Sequence, residues 1–178
     1  MNLLPQIQKH FSKVDTPRYL DLKIQEIALN HLKLKDVGEL RDKFDAQLYL
    51  NNLSQEIRAE FAFEKFLGME FDFEKRMNKN YKRLEYKLNN ERVLLIPFSS
   101  KRAPILNETE NSVIIYLKPE KFAYIGPLFY KKQINKIVSF EMNPLEKNKI
   151  IMLDQINFDD YEFFRSKQEL INILNNKS

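Results

Sequence analysis

The chain of 178 residues has no cysteine, two histidines and three glycines, and each scarcity closes off some chemistry. Without cysteine there is neither a disulfide staple nor a thiolate zinc site. His10 and His31 lack the spacing of a metal-binding pair and read as packing or surface residues. Gly38, Gly68 and Gly126 are too dispersed for a glycine-rich phosphate loop or a dinucleotide-binding turn. With no low-complexity stretch and no internal repeat, they also provide no flexible linker between independent domains. A Ser-His-Asp arrangement is missing too, which disfavours serine-type hydrolases. No apolar run approaches the roughly 18 residues needed to cross a bilayer, and Pro5 and the early charges of MNLLPQIQKHFSKVDT do not suit a leader. The expectation is a soluble, cytoplasmic protein of about one domain, large enough to bury a core without staples.

Charge is present in quantity and unevenly placed. The formal net charge is +4, yet residues 59–74 carry five acids and one base, and residues 75–150 carry sixteen bases and seven acids. An acidic patch followed by a basic stretch fits a protein that grips phosphates beside a cation, and it equally fits an ordinary lysine-rich solvated surface.

The apolar pattern predicts helices over 16–36, 39–51 and 54–67, with Ser54 capping the third and Gly68 ending it. Strands are predicted near 82–88 and 92–98, turning at Asn89-Asn90, residues that tolerate left-handed backbone. SVIIYLK at 112–118 and the run 122–125 read as further strands, 150–153 as an edge strand and 163–174 as a closing helix. The fold class is therefore α/β or α+β, with a helical segment over 1–53 and an α/β core over 54–178 forming one unit. The central strand should be 92–98 or 112–118, the most apolar arms.

Chemistry centres on Glu60 in the 54–67 helix, on Asp72, and on the hairpin EYKLNNERVLLIPF. A helix bearing a glutamate, a hairpin, the apolar strand VIIYLKPE and then AYIGPLFYKKQI, together about 54–135, resemble the restriction-endonuclease-like, or PD-(D/E)xK, nuclease superfamily. The resemblance implies a mixed sheet flanked by helices. It also implies carboxylates that hold Mg²⁺, which lowers the pKa of a bound water, and a lysine that orients the nucleophile.

Two alignments of the hairpin follow. In the first, Glu60, Asp72 and Glu85 are metal ligands and Lys87 completes the catalytic set; Glu85 and Lys87, two apart, share one face of a strand. In the second, Glu85 is the leading acid and the acid-x-lysine position falls on Leu94-Leu95-Ile96, which cannot bind metal. The second is preferred, because the family usually sets its motif halves on the two arms of one hairpin. The bland alternatives are a solvated Glu56, Glu60 and Glu64 stripe and an exposed Glu85 and Lys87 pair.

Ser99, Ser100, Lys101 and Arg102 lie where related nucleases contact phosphate, and Lys131 and Lys132 could extend that basic surface. The abundant phenylalanine and tyrosine read mainly as core. The expected function is a nuclease-fold nucleic-acid-binding protein, with DNA ahead of RNA, a degenerate metal site, and a place in phage defence, mobile-element or DNA-processing systems. The alternatives are an active Mg²⁺-dependent endonuclease and a non-catalytic subunit that docks on a protein through its N-terminal helices.

Overall fold

A computed structural model describes residues 3–118 and 121–177. In chain order the elements are α1 (Leu4–His10), β1 (Ser12–Asp15), α2 (Tyr19–Leu32), α3 (Val37–Asp42), α4 (Phe44–Phe66) and α5 (Phe73–Met77). There follow β2 (Glu85–Leu88), β3 (Glu91–Phe98), β4 (Ile105–Asn107), β5 (Asn111–Lys118), β6 (Phe122–Phe129), α6 (Lys131–Ile134), β7 (Ser139–Asn143), β8 (Asn148–Ile151) and α7 (Lys167–Lys177).

The main sheet has the order β1-β6-β5-β3-β2. All its pairings are antiparallel except β3 with β5, which run parallel with Val93 beside Asn111 and Phe98 beside Tyr116. The expected mixed sheet flanked by helices is present, with 112–118 at its centre. All of β5 except Lys118 is buried, as is all of β6 after Phe122, because helices and loops cover both faces. One face, with Tyr86, Val93, Leu95, Val113 and Ile115, packs on Ala59, Ala62 and Phe63 of α4 and on Leu170 and Leu174 of α7. The other, with Phe98, Ile114, Tyr116, Tyr124 and Phe129, packs on Ile7 and Phe11 and on the small antiparallel sheet β4-β8-β7. A third cluster joins Leu20, Ile24 and Ile27 of α2 and Leu40 of α3 to Leu53 and Ile57 of α4.

The 23-residue α4 connects these layers, its first half against α2 and α3 and its second half on the sheet. This corrects two expectations. Residues 39–51 and 54–67 are not separate helices, and Ser54 is no cap: it lies inside α4, which runs unbroken across positions 53 and 54. Gly38 sits within α3, whose cap is Asp36, accepting from the Glu39 amide at 3.0 Å. Gly68 does end α4, with φ of 69° and the Met69 N–H donating to the Glu64 carbonyl at 2.8 Å. Asn89 and Asn90, at φ of 46° and 71°, make the expected turn. The strand expected over 150–153 is β8, over 148–151, which is the middle strand of its sheet and not an edge.

Candidate functional site

Three groups of foreseen residues separate in space. The first surrounds Glu60. Glu56, Glu60 and Glu64 recur every four residues on α4 and share one face, which meets two arginines from the connection between α4 and β2. Arg83 pairs with Glu56. Arg76 lies between the other two, donating from Nε to Glu60 Oε2 at 3.0 Å, from Nη2 to Glu64 Oε1 at 2.5 Å and from Nη1 to the Asp72 carbonyl at 3.0 Å. Glu60 is fully buried and Arg76 is 2% exposed. Glu60 and Glu64 are thus not solvated, Glu56 is half-buried, and the mutual repulsion of the three is relieved by cations that the linear pattern does not pair with them.

Further donors reach the two buried carboxylates, while Arg83 Nη1 is buried without a hydrogen-bond partner among the described residues. Tyr86 donates its hydroxyl to Glu64 Oε1 at 2.7 Å, and the Leu84 N–H donates to Glu60 Oε1 at 2.7 Å, fixing a leucine held at φ of 67°. The Arg76 guanidinium stacks 4.0 Å above the Phe71 ring. Burial raises the Glu60 carboxyl above its ordinary range, with Arg76 opposing. Burial lowers the Arg76 guanidinium, but Glu60 and Glu64 outweigh it and hold the cation firmly charged. Burial, then the two carboxylates, raises the Tyr86 phenol, which stays protonated as a donor. His31 bridges to the same region: Nε2 donates to the Arg76 carbonyl at 2.8 Å, so Nδ1 of the neutral ring accepts from the Tyr49 hydroxyl at 2.7 Å. Burial lowers its pKa.

The other foreseen metal ligands are elsewhere. Asp72 caps α5, accepting from the Lys75 amide at 3.1 Å, and that bond holds its carboxyl below the usual range. Glu85 pairs across the hairpin with Arg92 at 2.8 Å, and Lys87, opposite Arg92, is exposed on the same strand. Tyr86 and Leu88, which alternate with them, point into the core. Both Glu60 oxygens are engaged, and among the described residues no three His, Asp or Glu side chains are grouped to hold a metal ion. The donor set foreseen for Mg²⁺ does not fit it.

The second group forms a groove. Ser99–Arg102 is a tight turn leaving β3, closed by Arg102 N–H to Ser99 O at 3.0 Å and Ser99 N–H to Arg102 O at 3.3 Å. It stands at the C-terminal ends of the parallel pair β3 and β5. Facing it is a polar side of α4 with Asn51, Asn52, Gln55 and Arg58, in which Gln55 lies three or four residues from each of the others. With Ser99, Ser100, Lys101, Arg102 and Lys118 they line a cavity of about 460 Å³. Its lining holds four cations and no carboxylate. Arg58 is braced by Asp21 of α2. Lys101, Arg102 and Lys118 have no ion-pair partner among the described residues. The α4 contribution was missed in the sequence, although Asn51, Asn52, Gln55 and Arg58 form a polar stripe on this helix distinct from the Glu56, Glu60 and Glu64 face.

The third group, Lys131 and Lys132, lies in α6 beside Asn111, at the opposite end of β5. Lys131 approaches Glu91 at 3.9 Å, and both lysines line a shallow cavity with Glu108 and Lys147. An eight-residue strand spans about 25 Å, so the two basic groups do not form one patch. In comparisons with protein families, curated proteins and solved structures, nothing matches this chain.

Proposed function

We propose that this chain binds nucleic acid, DNA ahead of RNA, by seating the phosphate backbone in the groove between α4 and the Ser99–Arg102 turn. The observation that carries the reading is the lining: four cations, amide and hydroxyl donors, and no carboxylate, at the carboxyl ends of a parallel strand pair. Lysine and arginine supply sequence-independent attraction, and Asn51, Asn52, Gln55, Ser99 and Ser100 are the side-chain types that position a backbone.

The likeness to a nuclease frame is part of the proposal. The order helix, hairpin, apolar strand is kept in α4, β2–β3 and β5. On β3, Leu95 is buried in the core and Leu94 and Ile96 flank it, which favours the alignment whose catalytic arm has become aliphatic. Binding without hydrolysis at Glu60, Asp72, Glu85 and Lys87 is the consequence, since Glu60 already neutralises Arg76.

Fluorescence anisotropy of labelled duplex and single strand across a salt series tests this. About three to four phosphate contacts give a slope of log affinity against log salt of about −2.7 to −3.6. Absence of binding at low salt would overturn the reading. It would then favour a protein-docking subunit, for which Tyr19, Leu22, Phe44 and Leu48, exposed on α2 and α4, are the supporting observation.

A further inference from the structure

A second cavity adjoins the groove across the Ser99–Arg102 turn. It measures about 340 Å³ and lies between the start of α1, the end of β3 and the turn Leu153–Gln155, with Ser99, Ser100 and Arg102 lining both spaces. The two differ in chemistry. Where the groove holds four cations and no carboxylate, this cavity is walled mainly by apolar and aromatic groups, among them Leu3, Leu4, Phe98, Tyr116 and Leu153. Asp154, exposed at its rim, adds the carboxylate that the groove lacks. Phe98 and Tyr116 are register neighbours on β3 and β5, with ring centroids 5.3 Å apart. Tyr116 is only 6% exposed, yet its hydroxyl has no hydrogen-bond partner among the described residues. Such a group is left to donate to, or accept from, an occupant of the cavity.

We infer that this cavity takes one unpaired base of the nucleic acid whose backbone lies in the groove. The inference rests on the groove reading and extends it from the phosphate to the rest of the nucleotide. The division of charge carries it. A phosphate is drawn to the four cations of the groove and repelled by Asp154, whereas a base is uncharged, has apolar faces and carries N–H and acceptor groups on its edge. Asp154, an acceptor only, takes a base N–H, and the Tyr116 hydroxyl takes either kind of group. The shared wall of Ser99, Ser100 and Arg102 sets the two spaces side by side, as the two halves of one nucleotide require. The volume lies in the range of small-ligand sites. A cationic track beside aromatic side chains is also how proteins generally hold single strands. A base within a duplex is stacked and paired, so the cavity selects single strands and strand ends.

The test uses the full-length chain and two short labelled strands of equal length, compared by fluorescence anisotropy at one low salt concentration. One strand is abasic sugar-phosphate throughout; the other differs only in a single adenine at its centre. The adenine-bearing strand should bind about tenfold more tightly, within the usual contribution of one base held on aromatic side chains. Ala103 lines this cavity but not the groove, so Ala103→Leu should narrow the space and erase the difference. Tyr116→Phe removes one oxygen and keeps the ring, and should cut the difference to about threefold, as expected for one hydrogen bond. Neither variant should change binding of the wholly abasic strand. Equal affinity for the two strands, or an adenine preference that survives Ala103→Leu, would overturn the inference and leave the groove reading standing. Binding of neither strand would overturn both.

Discussion

Arg76 is the residue whose loss should be felt most. It satisfies two buried carboxylates, and removing one partner of such a network leaves uncompensated charge in the interior. Arg76→Met should cost about 3–5 kcal/mol in urea unfolding, and adding Glu60→Gln and Glu64→Gln to it should recover much of that loss. The pH dependence has a definite sign. A raised folded pKa means that Glu60 contributes stability below its unfolded value of 4.5 and loses that contribution as pH rises through the folded value. The stability of the native chain relative to Glu60→Gln should therefore decline from pH 4 toward neutrality. A relative stability that climbs over this range would refute the assignment. His31 acts in the other direction: its lowered folded pKa gives stability above 6.5 that is lost as pH falls through the folded value. Glu60 was singled out in the sequence as a candidate metal ligand or one of a solvated stripe, and its pairing with Arg76 was not foreseen. Arg76 is sixteen positions away, in the short α5 beyond a turn, and no periodicity links the two.

At the scale of elements, the hairpin, the central strand and the end of α4 were legible because each is written locally, in Asn89-Asn90, in SVIIYLK and in Gly68. The start of α4 was not. Lys43 occupies its N-cap and makes no side-chain cap bond, whereas Ser54, a conventional cap residue followed by Gln55 and Glu56, lies inside the helix. Packing of Ala46, Leu53 and Ile57 in the third cluster overrides that signal. β1 was illegible for a related reason: in its four residues only Val14 is buried, too short a pattern to read, and its register comes from β6. Gly126 of β6 shows how tightly the sheet meets α1. A Cβ there would lie 2.7 Å from Ile114 Cγ1, 2.7 Å from Phe11 Cε2 and 2.8 Å from the Ile114 carbonyl oxygen. Since backbone is among the obstacles, Gly126→Ala should destabilise by about 1–3 kcal/mol. Thermal unfolding within a degree of the native chain would show that α1 yields freely.

Over the whole molecule, the basic excess of residues 75–150 was plain in the sequence, but its division was not, because the division depends on strand direction. The parallel run of β3 and β5 carries Lys101, Arg102 and Lys118 to one end of the sheet, and the return along β6 leaves Lys131 and Lys132 at the other. At that separation, beyond the Debye length of about 8–10 Å, the two groups act independently in physiological salt. The most direct measurement of the account is the salt dependence of duplex binding in paired variants. Lys101→Ala with Arg102→Ala should weaken binding on every sequence and flatten the slope of log affinity against log salt by about two units. Lys131→Ala with Lys132→Ala should leave that slope as it is. A slope unchanged by the first pair, or flattened only by the second, would contradict the groove as the binding site.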